Sequence, residues 1–193
     1  MKDHLSPEEC RLLLLLARQA VEAAVCGLEL EPLDRLSLPA ALLQPGAAFV
    51  TLTRQSQLRG CVGTLEAKQP LAECVREHGA AAALHDFRFP PVRPEELAEI
   101  EIEVSRLTMP REFPYDCPED LLEGLRPGVD GVILRDGLQR ATFLPQVWEK
   151  IPEPALFLSY LCEKMGADPF LWQRRKLQVS VYQVEVLQEG ALS

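Results

Sequence analysis

The stretch AAFVTLTRQSQLRGCVGTL, residues 47–65, decides the fold of this chain. Residues 47–53 are typical of a β-strand, residues 54–57 of a turn, and residues 58–65 of a second strand. Because so few residues separate the two strands, they are predicted to pair as an antiparallel hairpin. The other elements are placed outward from this hairpin.

The segments on either side of the hairpin predict helices and a further strand. Upstream, SPEE at residues 6–9 has the form of a capping box and Gly27 offers a stop, which predicts one long helix between them. Downstream, Pro70 opens a second helix, and strict alternation of apolar and polar residues over 99–107 predicts a half-buried strand.

The C-terminal half predicts a second hairpin, a helix and a closing strand. Asp136-Gly137 lies between two apolar runs and is a strong signal for a two-residue hairpin turn. A third helix is expected around residues 155–165, ending at Gly166, and a valine-rich strand over residues 178–187. Together these elements predict an α+β fold with mostly antiparallel sheet.

Composition and charge exclude several classes of protein. The chain has 193 residues, 47% of them hydrophobic and 25% charged, which is enough to bury a sizeable core. Its net charge of -9 would repel a phosphate backbone along an extended binding surface, so duplex nucleic acid is not expected as a partner. The longest aliphatic run, residues 12–17, is far shorter than the ~20 residues that cross a bilayer. It also follows acidic residues, so neither a membrane span nor a signal peptide is predicted.

The cysteines indicate a reducing environment. They lie far apart and form no CxxC pair, so they predict neither a zinc site nor a disulfide framework. A cytoplasmic location fits this pattern best. The six positions are Cys10, Cys26, Cys61, Cys74, Cys117 and Cys162.

Four stretches of the sequence, in order, resemble the signatures of the AMMECR-type domain family. They are LRGCVG at 58–63, HDFRFPPV at 85–92, EIEIEVSRL at 99–107, and RPGVDGVILR at 126–135 with FLPQVW at 143–148. The chain is most similar to the short prokaryotic members, called AmmeMemoRadiSam system protein A. One departure is Phe87, which stands where the family usually has proline.

The resemblance implies a single AMMECR-type domain over residues 1–193, made of two lobes with the larger lobe built from both chain ends. It also implies two antiparallel sheets flanked by helices, with the LRGCVG side chains turned toward an inter-lobe cleft. No activity is established for such proteins, and no cofactor is implied. Their genes lie beside those of a Memo-like protein and a radical-SAM protein, which implies a shared pathway.

Cys61 is the candidate catalytic residue. In a regular strand Arg59, Cys61 and Gly63 share one face, and a nearby guanidinium lowers the pKa of a thiol and makes it a nucleophile. The alternative is that Cys61 is a small buried hydrophobe between glycines that let another backbone approach closely. This alternative is the more common situation for a free cysteine.

Histidine and metal chemistry are weaker interpretations. Covalent catalysis by Cys61 needs a base, for which His78 and His85, at the second helix and its exit, are candidates. A histidine on an apolar helix face is more often a packing residue. Cys74 and His78 lie one helical turn apart, but they lack further ligands at a recognisable spacing, so no metal site is predicted.

The predicted ligand-binding residues are those of two signatures: Arg59, Gly60, Gly63, Asp86 and Arg88. One hypothesis is that the chain binds or processes a small anionic metabolite in the inter-lobe cleft through Arg59 and Arg88, since guanidinium groups suit carboxylate and phosphate. The alternative hypothesis is a non-catalytic adaptor that docks a protein partner. Asp86 and Arg88 also fit a purely structural role, with Asp86 capping local amides and Arg88 forming an ion pair. The sequence leaves open whether the protein is an enzyme.

Overall fold

The computed structural model describes residues 4–189. Over these residues the chain forms six α-helices, two short 3-10 helices and nine strands. The helices are α1 (Pro7–Cys26), α2 (Ala40–Leu43), α3 (Leu71–Leu84), α4 (Pro118–Gly124), α5 (Pro154–Met165) and α6 (Leu171–Arg174). The 3-10 helices span Pro94–Glu99 and Pro145–Glu149. The strands are β1 (Pro45–Arg54), β2 (Gln57–Gly63), β3 (Gln69–Pro70), β4 (Ile100–Leu107), β5 (Arg111–Glu112), β6 (Gly131–Asp136), β7 (Gln139–Phe143), β8 (Gln178–Tyr182) and β9 (Val184–Gln188).

The predicted α+β fold is confirmed, and the chain divides into two compact units. The first unit contains the chain up to Thr108 together with the segment that begins at Glu185, and the second runs from Met109 to Val184. No helix among residues 4–189 has both the length and the apolar character that a membrane span requires.

The first unit is a five-stranded antiparallel sheet packed against two long helices. Its strands run in the order β2-β1-β4-β9, and the short β3 pairs with β1. Helices α1 and α3 pack on each other, α3 packs on β1 and α1 on β4, so that residues such as Leu13, Val50 and Ile102 are buried in one core. Because β2 lies at the end of the order, one of its edges is open to partners other than strands.

Helix α1 forms where the sequence predicts it. Ser6 caps its first turn, accepting a hydrogen bond from the Glu9 amide, while the Glu9 carboxylate accepts one from the Ser6 amide. At the other end Gly27 adopts a left-handed conformation with φ 65°, which ends the helix. These two local signals fix both ends of the helix.

The β1–β2 hairpin is closed by a two-residue turn in a conformation that side chains disfavour. Arg54 pairs with Gln57, and the two residues between them, Gln55 and Ser56, have φ of 51° and 61°. Two positive φ angles are the pattern of a type I′ turn, which usually carries Asn-Gly. Two non-glycine residues here place local strain in the turn.

Glycine at position 56 is therefore expected to stabilise the protein. Ser56→Gly removes a left-handed side-chain conflict worth roughly 1–2 kcal/mol, partly offset by the greater freedom of glycine in the unfolded chain. We expect a net gain of about 0.5–1 kcal/mol in the free energy of unfolding, measured by urea denaturation. Ser56→Ala is the matched control and gives no gain, because alanine keeps the conflict; an equal gain in both variants would contradict this explanation.

The hairpin also contains a bulge at Arg59. Leu52 pairs with Gly60 and Thr53 pairs with Leu58, so Arg59 has no partner on β1. A bulge re-aims the side chain of its extra residue. Arg59 therefore departs from the regular alternation that the sequence predicted for this strand.

The second unit is a four-stranded antiparallel sheet in the order β5-β8-β6-β7, packed against α5. Phe157 and Leu161 of α5 are fully buried in its core, and Trp148 stacks on Phe157. Helix α5 ends at Gly166 in a left-handed conformation, as the sequence predicted.

Two details of this unit differ from the sequence prediction. The β6–β7 turn is Gly137-Leu138, because Asp136 still pairs with Gln139, and only Gly137 of the two has a positive φ. The predicted strand over 178–187 is two strands, β8 and β9, in different sheets. Valines lie on both sides of the break at Gln183, but their alternation shifts by one residue there, from Val179 and Val181 to Val184 and Val186.

Candidate functional site

The open edge of β2 is occupied by a charged pair from the loop that follows α3. The Cys61 amide donates to Asp86 Oδ2 at 2.8 Å, and Arg88 Nη2 donates to the Cys61 carbonyl oxygen at 3.1 Å. The two side chains thus take the hydrogen-bonding positions that a neighbouring strand would occupy. This arrangement brings together three of the predicted site residues.

Asp86 is a buried carboxylate that accepts hydrogen bonds from several donors. Arg88 Nε and Nη2 donate to it at 2.9 Å and 2.6 Å, and the Arg88 amide donates at 3.1 Å. The guanidinium hydrogen bonds, together with those from the Cys61 and Arg88 amides, hold the pKa of Asp86 well below its usual range. Asp86 is therefore ionised at neutral pH, and its carboxylate holds the Arg88 guanidinium in one orientation.

Arg88 is only partly enclosed by this pair. Its side chain is 45% exposed, whereas that of Asp86 is 4% exposed. The guanidinium carbon also lies 5.6 Å from the ring centre of Phe89. The arginine thus has a fixed inner side, which binds Asp86 and Cys61, and an outer side that faces solvent.

A second buried carboxylate, Glu96, holds Arg59. Arg59 Nε and Nη2 each donate to Glu96 at 3.0 Å, Arg54 Nη1 donates at 3.3 Å, and the Arg93 amide donates at 2.9 Å. The hydrogen bonds from the Arg59 guanidinium lower the pKa of Glu96 to about 2, with smaller contributions from the Arg93 amide and Arg54. Glu96 is the main residue that sequence reasoning missed.

Arg59 also clamps the loop between α3 and the first 3-10 helix. Its Nη1 donates to the Pro90 carbonyl oxygen at 2.8 Å and its Nη2 to that of Pro91 at 3.2 Å. All three guanidinium nitrogens therefore donate to protein acceptors. A ligand role for Arg59 stays a prediction, and an anion would have to compete with Glu96 for this residue.

The Cys61 thiol lies on the sheet face that points away from α1 and α3. It is half-buried, and its Sγ lies 3.4 Å from Thr51 Oγ1 on β1. Thr51 pairs with Cys61 on one side and with Glu103 of β4 on the other. The arginine that contacts the residue is Arg88, through the backbone, while Arg59 binds Glu96. Thr51 could have been identified from the register of β1 and β2, which pairs it with Cys61. The bulge shifts this register by one residue, so it could not be derived from the sequence.

Gly60 and Gly63 are positions of close backbone approach. A Cβ on Gly60 would lie 2.2 Å from the Ala82 carbonyl oxygen of α3, and one on Gly63 would lie 2.5 Å from the Ala48 carbonyl oxygen. These distances are shorter than any real contact, so both positions need glycine. This geometry supports the packing interpretation of the two glycines; their predicted contact with a ligand stays a prediction.

The family model AMMECR1 matches residues 14–187 of this chain. The chain belongs to the AMMECR1 family. It is 38% identical to a protein of Methanothermobacter thermautotrophicus over 188 residues, covering 96% of each chain. A protein of Thermofilum pendens is 36% identical over 200 residues, covering 96% of this chain and 92% of the relative. The crystal structure of an uncharacterised protein from Pyrococcus horikoshii superposes with a TM-score of 0.72 at 32% identity, covering 98% of this chain and 94% of the other.

Neither candidate histidine of this AMMECR1-family chain has a described contact with Cys61. His78 Nδ1 lies 2.7 Å from the Cys74 carbonyl oxygen and 3.4 Å from Cys74 Sγ, both on its own helix. His85 is exposed and caps the end of α3. Burial raises the pKa of the Cys74 thiol to about 11, which favours the protonated form. The described residues contain no cluster of three or more metal-ligating side chains.

The two buried carboxylates predict a loss of stability in acid. A lowered folded-state pKa stabilises the fold above the unfolded value, and this contribution disappears as the pH falls through the folded value. For Glu96 the window runs from about 4.5 down to about 2, and for Asp86 it extends lower. We expect the urea midpoint of the AMMECR1-family chain to fall steadily below pH 5.

Substitution of Glu96 separates this effect from general acid denaturation. Glu96→Gln cannot titrate at this position, so its urea midpoint is expected to be lower at pH 7 and to fall less steeply below pH 5. Glu95→Gln, at the exposed neighbouring position, serves as the control and keeps the slope of the unmodified protein. Equal slopes for all three proteins would show that Glu96 does not contribute.

Proposed function

We propose that this AMMECR1-family protein binds a small anionic metabolite at the open edge of β2, with Arg88 as the anion contact. The observation that carries the proposal is the state of the Arg88 guanidinium. Its Nε and Nη2 are fixed by Asp86 and Cys61, while Nη1 donates to none of the residues in the range 4–189 and the side chain is 45% exposed. A cation held in one orientation with a donor to spare suits a carboxylate or phosphate group.

The surrounding charge favours a small anion over a polyanion. The first unit carries eleven basic and eighteen acidic residues, so an extended anion would meet repulsion along most of its length. A ligand of one or two charged groups avoids these acidic residues and still reaches Arg88. The acidic surface therefore disfavours duplex nucleic acid as a ligand.

Cys61 is the candidate reactive residue of the proposed site. The residue is held at both its amide and its carbonyl by Asp86 and Arg88, which fixes its backbone next to the proposed anion contact. In the proposal the Cys61 thiol is the group that would contact the metabolite beside Arg88, and a purely binding role leaves the Arg88 contact unchanged.

The wider setting rests on the family resemblance. It consists of a pathway shared with Memo-like and radical-SAM proteins. A cytoplasmic location is proposed separately, from the cysteine pattern. All six cysteines are free thiols, which agrees with a reducing compartment.

A thermal-shift titration tests the proposal. Inorganic phosphate, sulfate and small carboxylic acids are added to the full chain, and at least one of them is expected to raise the melting temperature in a saturable way. Arg88→Ala is expected to abolish this rise. Salt controls at equal ionic strength use chloride, because screening alone gives a response that does not saturate.

The second unit supplies a matched control for Arg88. Arg126 binds buried Asp130 through the same groups, with Nε at 3.0 Å, Nη2 at 2.6 Å and its own amide at 3.0 Å. Arg126→Ala therefore leaves an equivalent carboxylate without its arginine. Within residues 4–189 Arg126 contacts only Asp130 and lacks the second contact, to a strand-edge carbonyl, that Arg88 makes with Cys61, so this variant must keep the anion-dependent rise. Loss of the rise in both variants, or no rise with any anion, would overturn the proposal.

One observation favours the adaptor function as a second candidate. Phe87, between Asp86 and Arg88, is 96% exposed, although both of its neighbours hydrogen-bond to the Cys61 backbone on β2. A rigid exposed aromatic residue is a common anchor in protein interfaces. Phe87→Ser distinguishes the two functions, since it removes such an anchor and leaves the anion-dependent rise intact.

A further inference from the structure

The tip of the β6–β7 hairpin carries two arginines without acidic partners and one fully exposed leucine. Arg135 and Arg140 pair directly across the two strands, and neither forms an ion pair with any residue of the described range. Like charges in this position destabilise a hairpin. Leu138, at the turn between them, is completely exposed. Fold stability explains none of these three residues.

A groove in the first unit has the opposite character. It lies between α1 and the segment that follows it, encloses about 410 Å³, and is lined on its floor by leucines. Its leucines are Leu12, Leu15, Leu16, Leu30, Leu33 and Leu38. Leu15 is 50% exposed although it lies in the middle of a helix that otherwise supplies the core. The groove therefore exposes apolar surface that this chain does not itself cover.

The rim of this groove is acidic. Glu29 and Glu31 are exposed on the segment that forms one wall, and their carboxylates have no cationic partner among residues 4–189. Asp34 lies on the same wall. Arg76 lines the groove as well, but its guanidinium donates to the Glu31 carbonyl oxygen. The groove therefore has two unpaired carboxylates beside its leucines, and the hairpin tip has two unpaired guanidinium groups beside Leu138. The two surfaces are complementary in charge and in apolar character.

We propose that the β6–β7 hairpin tip of one copy docks in the α1 groove of a second copy. Leu138 enters the leucine-lined floor, and Arg135 and Arg140 pair with Glu29 and Glu31 on the rim. A leucine side chain is much smaller than the groove, so the fit does not require the floor to open. The proposal is independent of the Arg88 site, which contributes no residue to either surface.

The contact joins two different surfaces, so it is heterologous. Each copy in such an association keeps one free tip and one free groove, which allows chains or rings to form. A single hairpin tip buries little area, so the association is expected to be weak and to weaken further as salt screens the rim charges.

Sedimentation velocity on the full chain tests the contact through a charge swap. The unmodified protein is expected to show concentration-dependent association at low salt that declines in high salt. Arg135→Glu with Arg140→Glu, and separately Glu29→Arg with Glu31→Arg, are each expected to raise the dissociation constant about tenfold or more. Mixing the two charge-reversed proteins restores association, since each tip then meets a groove of opposite charge.

A second pair of charge reversals, away from the hairpin tip, serves as the control. Lys150→Glu with Arg174→Glu makes the same charge change at exposed positions of the second unit and is expected to leave association unchanged. Leu138→Ser weakens association without changing charge. The proposal is overturned if the unmodified protein stays monomeric at all concentrations, if the control pair weakens association as much as the tip pair, or if the mixture fails to restore it.

Discussion

A Gly60→Val chain is expected to lose about 3 kcal/mol or more of its free energy of unfolding. The new Cβ would lie 2.2 Å from the Ala82 carbonyl oxygen, and backbone on both sides of the contact leaves no flexible group to move aside. Relief requires β2 and the end of α3 to separate. That movement would also pull the Asp86–Arg88 loop away from Cys61, because the loop directly follows this helix.

Urea denaturation and circular dichroism give this comparison directly. Leu58→Val is the control on the same strand, since Leu58 is 44% exposed and valine suits a strand. We expect the control to unfold within about 0.5 kcal/mol of the unmodified protein. A Gly60→Val chain that unfolds at the same urea concentration as the control would show that β2 and α3 are not in close contact.

An Arg59→Ala chain is expected to lose about 3 kcal/mol of its free energy of unfolding, because it leaves a buried carboxylate without its main partner. Glu96 is 8% exposed, and within residues 4–189 Arg54 then supplies its only remaining guanidinium contact. The same change releases the Pro90 and Pro91 carbonyl groups. Arg59→Lys recovers part of the loss, since lysine keeps the charge but cannot form the two-nitrogen contact.

Arg35→Ala provides the surface comparison for Arg59. Arg35 pairs with Glu73, but its side chain is 63% exposed, so its removal is expected to cost at most about 1 kcal/mol. Chemical denaturation of the two variants side by side measures the difference. If Arg59→Ala and Arg35→Ala unfold at the same denaturant concentration, the Glu96 cluster does not stabilise the fold.

The elements of the fold were predictable where their signals are local. The capping box at Ser6, the stop at Gly27 and the β1–β2 hairpin all depend on residues within a few positions of one another. The division of the C-terminal strand at Gln183 was missed. The alternation of valines shifts by one residue there, but the change of sheet depends on distant partners.

The site was predictable in its residues and less so in its contacts. Asp86 and Arg88 are two positions apart, so a pair between them could be expected from sequence. Their joint attachment to Cys61 links residues 25 positions apart, and the Arg59–Glu96 pair spans 37. The bulge at Arg59 turns this residue toward Glu96, and no local signal in the strand marks it.

Backbone NMR of the labelled full chain during titration with inorganic phosphate tests the central claim, that Arg88 presents an anion site at the edge of β2. The Cys61 and Arg88 amides both donate to Asp86 and report directly on this position. The account predicts saturable shifts of these two amides, no shift of the Arg126 amide, and no shift of the Cys61 amide in Arg88→Ala. Unchanged Cys61 and Arg88 signals at saturating phosphate, or equal shifts at Arg126, would contradict it.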